Sequence, residues 1–322
     1  MVNLALKYRP ATFNEVVGQD EIVSILDYQI KTHTTKNSYL FTGPSGCGKT
    51  TVARIFANVI NNYVGTPIEI DAATNTGVDN VRNIVNEASF KSIATPFKVF
   101  IIDECHMLSM GAWNALLKLL EEPPAHCVII LCTTDPQKVP ITILTRVQRF
   151  DFGRIPDDII VERLKLIVEG EKTKRDIVID DESLYYIAEK SNGGMRTAIG
   201  ILDKCLDMSL TVDTELIVNV LGIINDEILY NLFFAITNKY YEGVFKELSN
   251  LYIKGKDLKI LIKNLISVAV HTIKQYLVQK LDVSVYTALL EELVFLSNDI
   301  KYESDPYILI QASFILFMDR LK

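Results

Sequence analysis

The stretch GPSGCGKTT, residues 43–51, limits what this chain can fold into more than any other. Gly43, Gly48, Lys49 and Thr50 fill the pattern GxxxxGK[ST], which works only between a buried strand and the head of a helix. The apolar run NSYLFTG (37–43) before it reads as that strand, and helical periodicity follows over 49–62. The glycines let backbone N–H groups curl around phosphate oxygens, and the helix N-terminus adds partial positive charge. Pro44, Ser45, Gly46 and Thr51 complete the cradle, and Cys47 fills a variable position in it. Lys49 is placed for the β and γ phosphates and the Thr50 hydroxyl for Mg²⁺.

Further strands are expected over 68–72, 98–103, 127–134 and 147–152, several apolar on both faces, as in a parallel sheet covered by helices. Helices are expected over 20–32, 78–90 and 111–122, the last stopped by Pro123 and Pro124. The fold class is α/β: a P-loop parallel-sheet domain over 1–155. From Pro156 the strand signal disappears. Helices near 157–170, 180–191 and 195–208 predict a three-helix lid over 156–212. An all-α domain over 213–322 follows, with Leu258, Ile262, Leu265 and Ile266 as its apolar stripe.

A second acidic element completes the phosphate chemistry. In KVFIIDECH a buried strand delivers Asp103 at its end to hold Mg²⁺, largely through water, with Glu104 beside it to polarise an attacking water. His106 reads as a strand-end histidine satisfied by its surroundings, with no second histidine at ligand spacing.

Composition narrows the function classes. A net charge of -7 argues against a protein that coats DNA non-specifically, though not against a subunit touching DNA through a few residues. Cys47, Cys105, Cys127, Cys132 and Cys205 form no CxxC pair, so free thiols and no zinc are expected. No signal-peptide core opens the chain, and the apolar run at 307–318 is too short to span a bilayer. A cytoplasmic protein without a membrane role is the expectation.

The DECH run and CTTD would also fit a DExH helicase, but that family needs a second α/β domain where this chain offers helices. Over residues 4–210 the chain resembles the AAA+ clamp loader ATPases, most closely the gamma/tau subunits of bacterial DNA polymerase III. The resemblance rests on LALKYRPATFNEVVGQDEIV, IDAATNTGVDNVRNIV, DECHMLSMGAWNALLKLLEEPP and TTDPQKVPITILTRVQRFDF, in the family's order. It implies that Tyr8, Arg9, Pro10, Val17 and Gly18 belong to the segment wrapping the adenine of ATP. It also implies that Thr133 and Thr134 form sensor 1, that Arg146 is an arginine finger acting on a neighbour's ATP, and that Arg196 is sensor 2.

Two departures from the family are apparent. Thr145-Arg146-Val147 stands where Ser-Arg-Cys is usual, with Arg149 as a second candidate finger. The cysteine-bound zinc module that commonly follows the phosphate-loop helix is missing, because no cysteine lies between Val52 and Pro67. The implied partners are a sliding clamp, primed template DNA and other clamp loader subunits in a homo- or hetero-oligomer, a pentamer. Thr76 and Arg82 are candidate DNA contacts. Trp113, Leu116 and Leu117 read either as core or as support for a clamp-binding surface. The implied activity is ATP hydrolysis coupled to clamp loading, and the alternative is another AAA+ DNA-acting ATPase, a branch-migration motor or fork-maintenance protein.

Overall fold

The computed structural model describes residues 3–74, 76–222 and 224–321. The chain divides into two compact units, Met1–Thr214 and Glu215–Lys322.

Five parallel strands, β1 (Ser38–Thr42), β2 (Ile68–Asp71), β3 (Lys98–Asp103), β4 (Cys127–Thr133) and β5 (Gln148–Asp151), form a sheet in the order β2-β3-β4-β1-β5. β1 and β4 are buried along their whole length, which is why they read as unbroken apolar runs. Side chains alternate between the faces. Tyr39 and Phe41 pack with Val52, Phe56, Ile101 and Ile130 on one side, whereas Leu40, Phe100 and Ile129 pack with Val81, Ile84 and Trp113 on the other.

The covering helices are α1 (Leu4–Lys7), α2 (Asp20–Lys31), α3 (Lys49–Ile60), α4 (Val78–Ala88), α5 (Met110–Glu121) and α6 (Ile141–Leu144). α5 begins where the Ser109 side chain accepts the Ala112 N–H, and it ends ahead of the two prolines. Trp113 is 2% exposed and Leu116 is buried, so both belong to the core between α5 and the sheet. Burying side chains of this size is worth about 1.5–3 kcal/mol each. Leu117 packs against the same cluster.

Three helices, α7 (Asp157–Lys172), α8 (Asp181–Lys190) and α9 (Met195–Met208), complete the first unit. Here one expectation is corrected: strand pairing does not stop at Pro156. β6 (Val178–Ile179) and β7 (Thr211–Val212) pair in parallel, each too short for any alternation to show in sequence. α10 (Thr214–Leu221) follows. The second unit is built from α11 (Asp226–Thr237), α12 (Tyr241–Ile253), α13 (Leu258–Val278), α14 (Ser284–Asp299) and α15 (Tyr307–Arg320). Leu258, Ile262 and Leu265 are buried in its core beside Phe233, Leu293 and Phe314, and Ile266 packs against them.

Candidate nucleotide site

The phosphate loop turns back from β1 on two conformationally restricted glycines. Gly43 has φ 144°, and a Cβ there would lie 2.4 Å from the Phe152 carbonyl oxygen. Its N–H donates to the Thr133 carbonyl at 3.2 Å, which ties the loop to the end of β4. Gly48 has φ 107° and faces open space, and α3 starts at the next residue.

Lys49 is buried, and its Nζ donates to the carbonyls of Gly43 and Pro44 at 2.8 Å each. The Thr50 hydroxyl donates to Asp103 Oδ2 at 2.8 Å, and Asp103 Oδ1 accepts the Glu104 N–H at 3.0 Å. The loop is thus joined directly to the acidic end of β3. Cys47 is buried behind the loop, and burial pushes its thiol pKa up.

A cavity of about 390 Å³ opens over this point, with three walls. Ser45 to Thr51 of the loop line it with Asp103 and Glu104; the N-terminal segment lines it with Leu6, Tyr8, Arg9, Pro10, Val16 and Val17; the helices line it with Arg163, Met195, Arg196 and Ile199. The apolar side chains offer a surface for a flat ring, while the cations gather near the loop. Burial, with Arg54 and Arg196 nearby, lowers the Arg9 guanidinium pKa. Gly18, at φ 69°, packs on Ile155 of the cavity wall.

Several residues that hold this cavity together carry no sequence signal. Gln19 donates to the Gly153 carbonyl at 2.9 Å and accepts the Gly153 N–H at 3.3 Å. Arg163 donates to the Tyr8 carbonyl at 3.1 Å, and the Leu4 N–H donates to Asp203 at 3.1 Å. Glu171, 3% exposed, accepts the Tyr8 hydroxyl at 2.8 Å, pairs with Arg175 at 3.0 Å and is bonded to Lys7. The Lys7 ammonium is the main cause holding its carboxyl down at about 2. Apart from the i,i+4 pair Glu171–Arg175, these partners are too far apart in sequence for any local pattern to announce them.

Arg196 stands in the first turn of α9 against the loop, where a Cβ on Gly46 would lie 3.4 Å from Arg196 Cβ. Thr133 is fully buried and does not line the cavity. Thr134 donates through both its N–H (3.3 Å) and its hydroxyl (3.0 Å) to Glu104 Oε2. Thr134 therefore meets the cavity through Glu104, whereas the Thr133 hydroxyl bonds His106 Nδ1 at 3.1 Å and accepts the Asp135 N–H at 3.0 Å. That glutamate sits in the left-handed region at φ 46°, ψ 43°.

Arg146 lies outside the cavity, beyond α6, where it donates to the Thr142 carbonyl at 2.6 Å and to Glu121 at 2.8 Å. Arg149 pairs with Asp151 at 2.8 Å. Thr76, between β2 and α4, and Arg82, on α4, are exposed and away from the cavity lining. Arg82 pairs with Asp79 at 3.1 Å, and the Thr76 carbonyl accepts the Ser109 N–H.

The donor set fits Mg²⁺. Thr50 and Asp103 present only hard oxygen atoms, and an ion of this kind takes the rest of its shell from water and phosphate. Among the described residues no cluster of three or more His, Cys, Asp or Glu gathers to hold a metal by itself. No single helix among them is long and apolar enough to cross a membrane.

Comparison with known proteins agrees with this architecture. The family model described as DNA polymerase III, delta subunit, matches residues 66–156. The chain is 39% identical over 283 residues to DNA polymerase III subunit tau of Bacillus subtilis, a match covering 80% of this chain and 49% of that protein. It is 33% identical over 281 residues to subunit tau of Escherichia coli, covering 80% of this chain and 43% of that one. The chain thus spans about half, or less, of the length of the curated relatives it matches. In fold it is similar to the Thermotoga maritima RuvB Holliday junction branch migration motor, with a TM-score of 0.53 at 19% identity over 72% of this chain and 80% of that one. With the phosphate loop joined to the acid of β3 and with relatives matched over four-fifths of its length, the chain belongs to the gamma/tau-like family of DNA polymerase III subunits, AAA+ proteins of the P-loop ATPase class.

Proposed function

We propose that this chain is an ATP-dependent clamp loader subunit that opens a DNA sliding clamp and places it on primed template DNA, ATP hydrolysis releasing the clamp. The observation that carries this reading is the Thr50–Asp103 hydrogen bond at the floor of a cavity walled by the N-terminal segment and by Arg196, in a chain related to tau subunits.

In this reading Lys49 and the loop N–H groups bind the phosphates, and Tyr8, Arg9, Pro10, Val17 and Gly18 shape the purine end. Thr50 and Asp103 hold Mg²⁺, which supplies charge neutralisation on the phosphate oxygens. Glu104 accepts a proton from the attacking water, Thr134 holds Glu104 directly, Thr133 acts beside it through His106, and Arg196 senses the phosphates. Arg146, free of the chain's own cavity, reaches a neighbouring subunit's site in an oligomer, a pentamer of loader subunits. Thr76 and Arg82 meet the DNA backbone. The work divides among a nucleotide domain (1–155), a lid (156–212) and an oligomerising collar (213–322), and takes place in a bacterial cytoplasm.

The test is the steady-state ATPase rate of the purified chain, alone and with primed DNA plus a sliding clamp. Stimulation by the two together supports the reading. Stimulation by four-way junction DNA instead would favour a branch-migration motor.

A further inference from the structure

We propose that His106 is a positioning residue for hydrolysis: through Nδ1 it ties one oxygen of Glu104 to the end of β4 and leaves the other oxygen for the attacking water. The inference rests on the reading of Glu104 as the group that accepts the water proton.

His106 lies in the short turn Cys105–Met107 that follows Glu104, with its side chain 12% exposed. Its Nδ1 is 3.1 Å from Thr133 Oγ1 and 3.3 Å from Glu104 Oε2. We assign the proton to Nδ1, because a lone pair there would face the carboxylate oxygen; that N–H is directed at Thr133 Oγ1, with Oε2 beside it. Thr133 Oγ1 already accepts the Asp135 N–H at 3.0 Å, which holds that hydroxyl in place beside the ring.

Oε2 therefore accepts two hydrogen bonds, from the Thr134 N–H and the Thr134 hydroxyl, and has His106 Nδ1 at ion-pair distance as a third polar neighbour. Oε1 has no hydrogen-bond partner among the described residues, and Glu104 lines the cavity. The two oxygens are thereby differentiated, one anchored and one available. Both Thr134 donors come from a single residue, so by themselves they leave the carboxylate free to swing about that side. His106, held by its bond to Thr133, stands against Oε2 from a different element and limits that rotation. A general base must stay within hydrogen-bond reach of the proton it takes, so the anchor acts on the rate of the chemical step. It has no contact with the loop that binds phosphate, so it does not act on affinity.

The experiment uses the purified full chain with Mg-ATP and measures kcat, KM, equilibrium nucleotide affinity and thermal stability for four variants. His106→Ala is expected to lower kcat about 10-fold while leaving nucleotide affinity within about twofold. His106→Asn places an amide near the position of Nδ1 and is expected to restore most of the rate. His106→Gln reaches toward the position of Nε2 and is expected to stay slow. Equal behaviour of Asn and Gln, a wild-type rate for Ala, or a loss of affinity and stability in parallel with rate would each overturn the proposal. Glu104→Gln separates the two layers. A wild-type rate in that variant would overturn the reading of Glu104 itself, whereas its loss beside an unaffected His106→Ala would overturn only the role of His106.

Discussion

Tyr8 and Glu171, 163 residues apart in sequence, share a hydrogen bond of 2.8 Å that fastens the N-terminal segment to α7. Lys7 and Arg175 converge on the same buried carboxylate and hold its pKa at about 2, below its ordinary 4.5. Because the folded-state value is depressed, the tie contributes fully above the ordinary value and is lost as pH falls toward 2. Thermal melts between pH 6 and pH 2.5, a range of roughly the unfolded to the folded titration, should show Glu171→Gln less stable than wild type at the upper end. The difference should shrink as the pH falls; a constant gap would show that the carboxylate charge is not what holds the segment.

Lys49 is bonded to the Gly43 and Pro44 carbonyls from a buried position. Charge-assisted hydrogen bonds are worth about 1.5–3 kcal/mol each, so Lys49→Ala should weaken nucleotide binding by about 100-fold or more. Equilibrium titration with a fluorescent ATP analogue checks this.

Gly43 and Gly48, two of the three loop glycines with positive φ, should respond differently to the same substitution. Gly43→Ala combines φ 144° with a contact of 2.4 Å to the Phe152 carbonyl. It should cost on the order of 3 kcal/mol or more and displace the loop from β5. Gly48→Ala meets no atom within 4 Å and bears only its φ of 107°. That strain is about 1–3 kcal/mol. Urea denaturation of both variants orders them, and the reverse order would contradict the packing argument.

Arg146 makes its contacts with Thr142 and Glu121 outside the cavity. Arg146→Ala should therefore leave ATP binding unchanged while lowering DNA- and clamp-stimulated hydrolysis by about 10³. Reduced binding with stimulation intact would transfer the role to another residue, of which Arg149 is the nearest in sequence.

Arg82 is exposed on α4 and is paired with Asp79 across one helical turn. If it meets a DNA phosphate, Arg82→Ala should weaken binding of primed DNA regardless of sequence and reduce the slope of log affinity against log salt by about 1. An unchanged slope in fluorescence anisotropy would leave Arg82 as a solvated helix residue.

Much of the first unit was legible in the sequence because its signals are local. β3 was expected over 98–103 and is found at Lys98–Asp103; α9 was expected over 195–208 and is found at Met195–Met208. Apolar runs, glycine punctuation and the paired prolines after α5 act within a few residues, so their consequences can be read in place. The phosphate loop and the acid at the end of β3 belong to this class, since each depends on a strand and the turn directly after it. β6 and β7 escaped because two residues cannot carry a period.

The sequence by itself determined which residues end the strands and what chemistry they bring: Lys49 and Thr50 after β1, Asp103 and Glu104 at β3, Thr133 and Thr134 at β4. Only the tertiary structure decided how those ends meet. Strand order is a matter of long-range pairing, to which local periodicity is blind, and the order β2-β3-β4-β1-β5 sets β4 between the phosphate loop and the acids. That insertion brings Thr134 and His106 beside one oxygen of Glu104, and makes Thr134 a partner of the carboxylate instead of a lining residue of the cavity. The same holds for Glu171, whose burial at 3% exposure is tolerable because Lys7 and Tyr8 of the N-terminal segment join the local Arg175 in satisfying its charge.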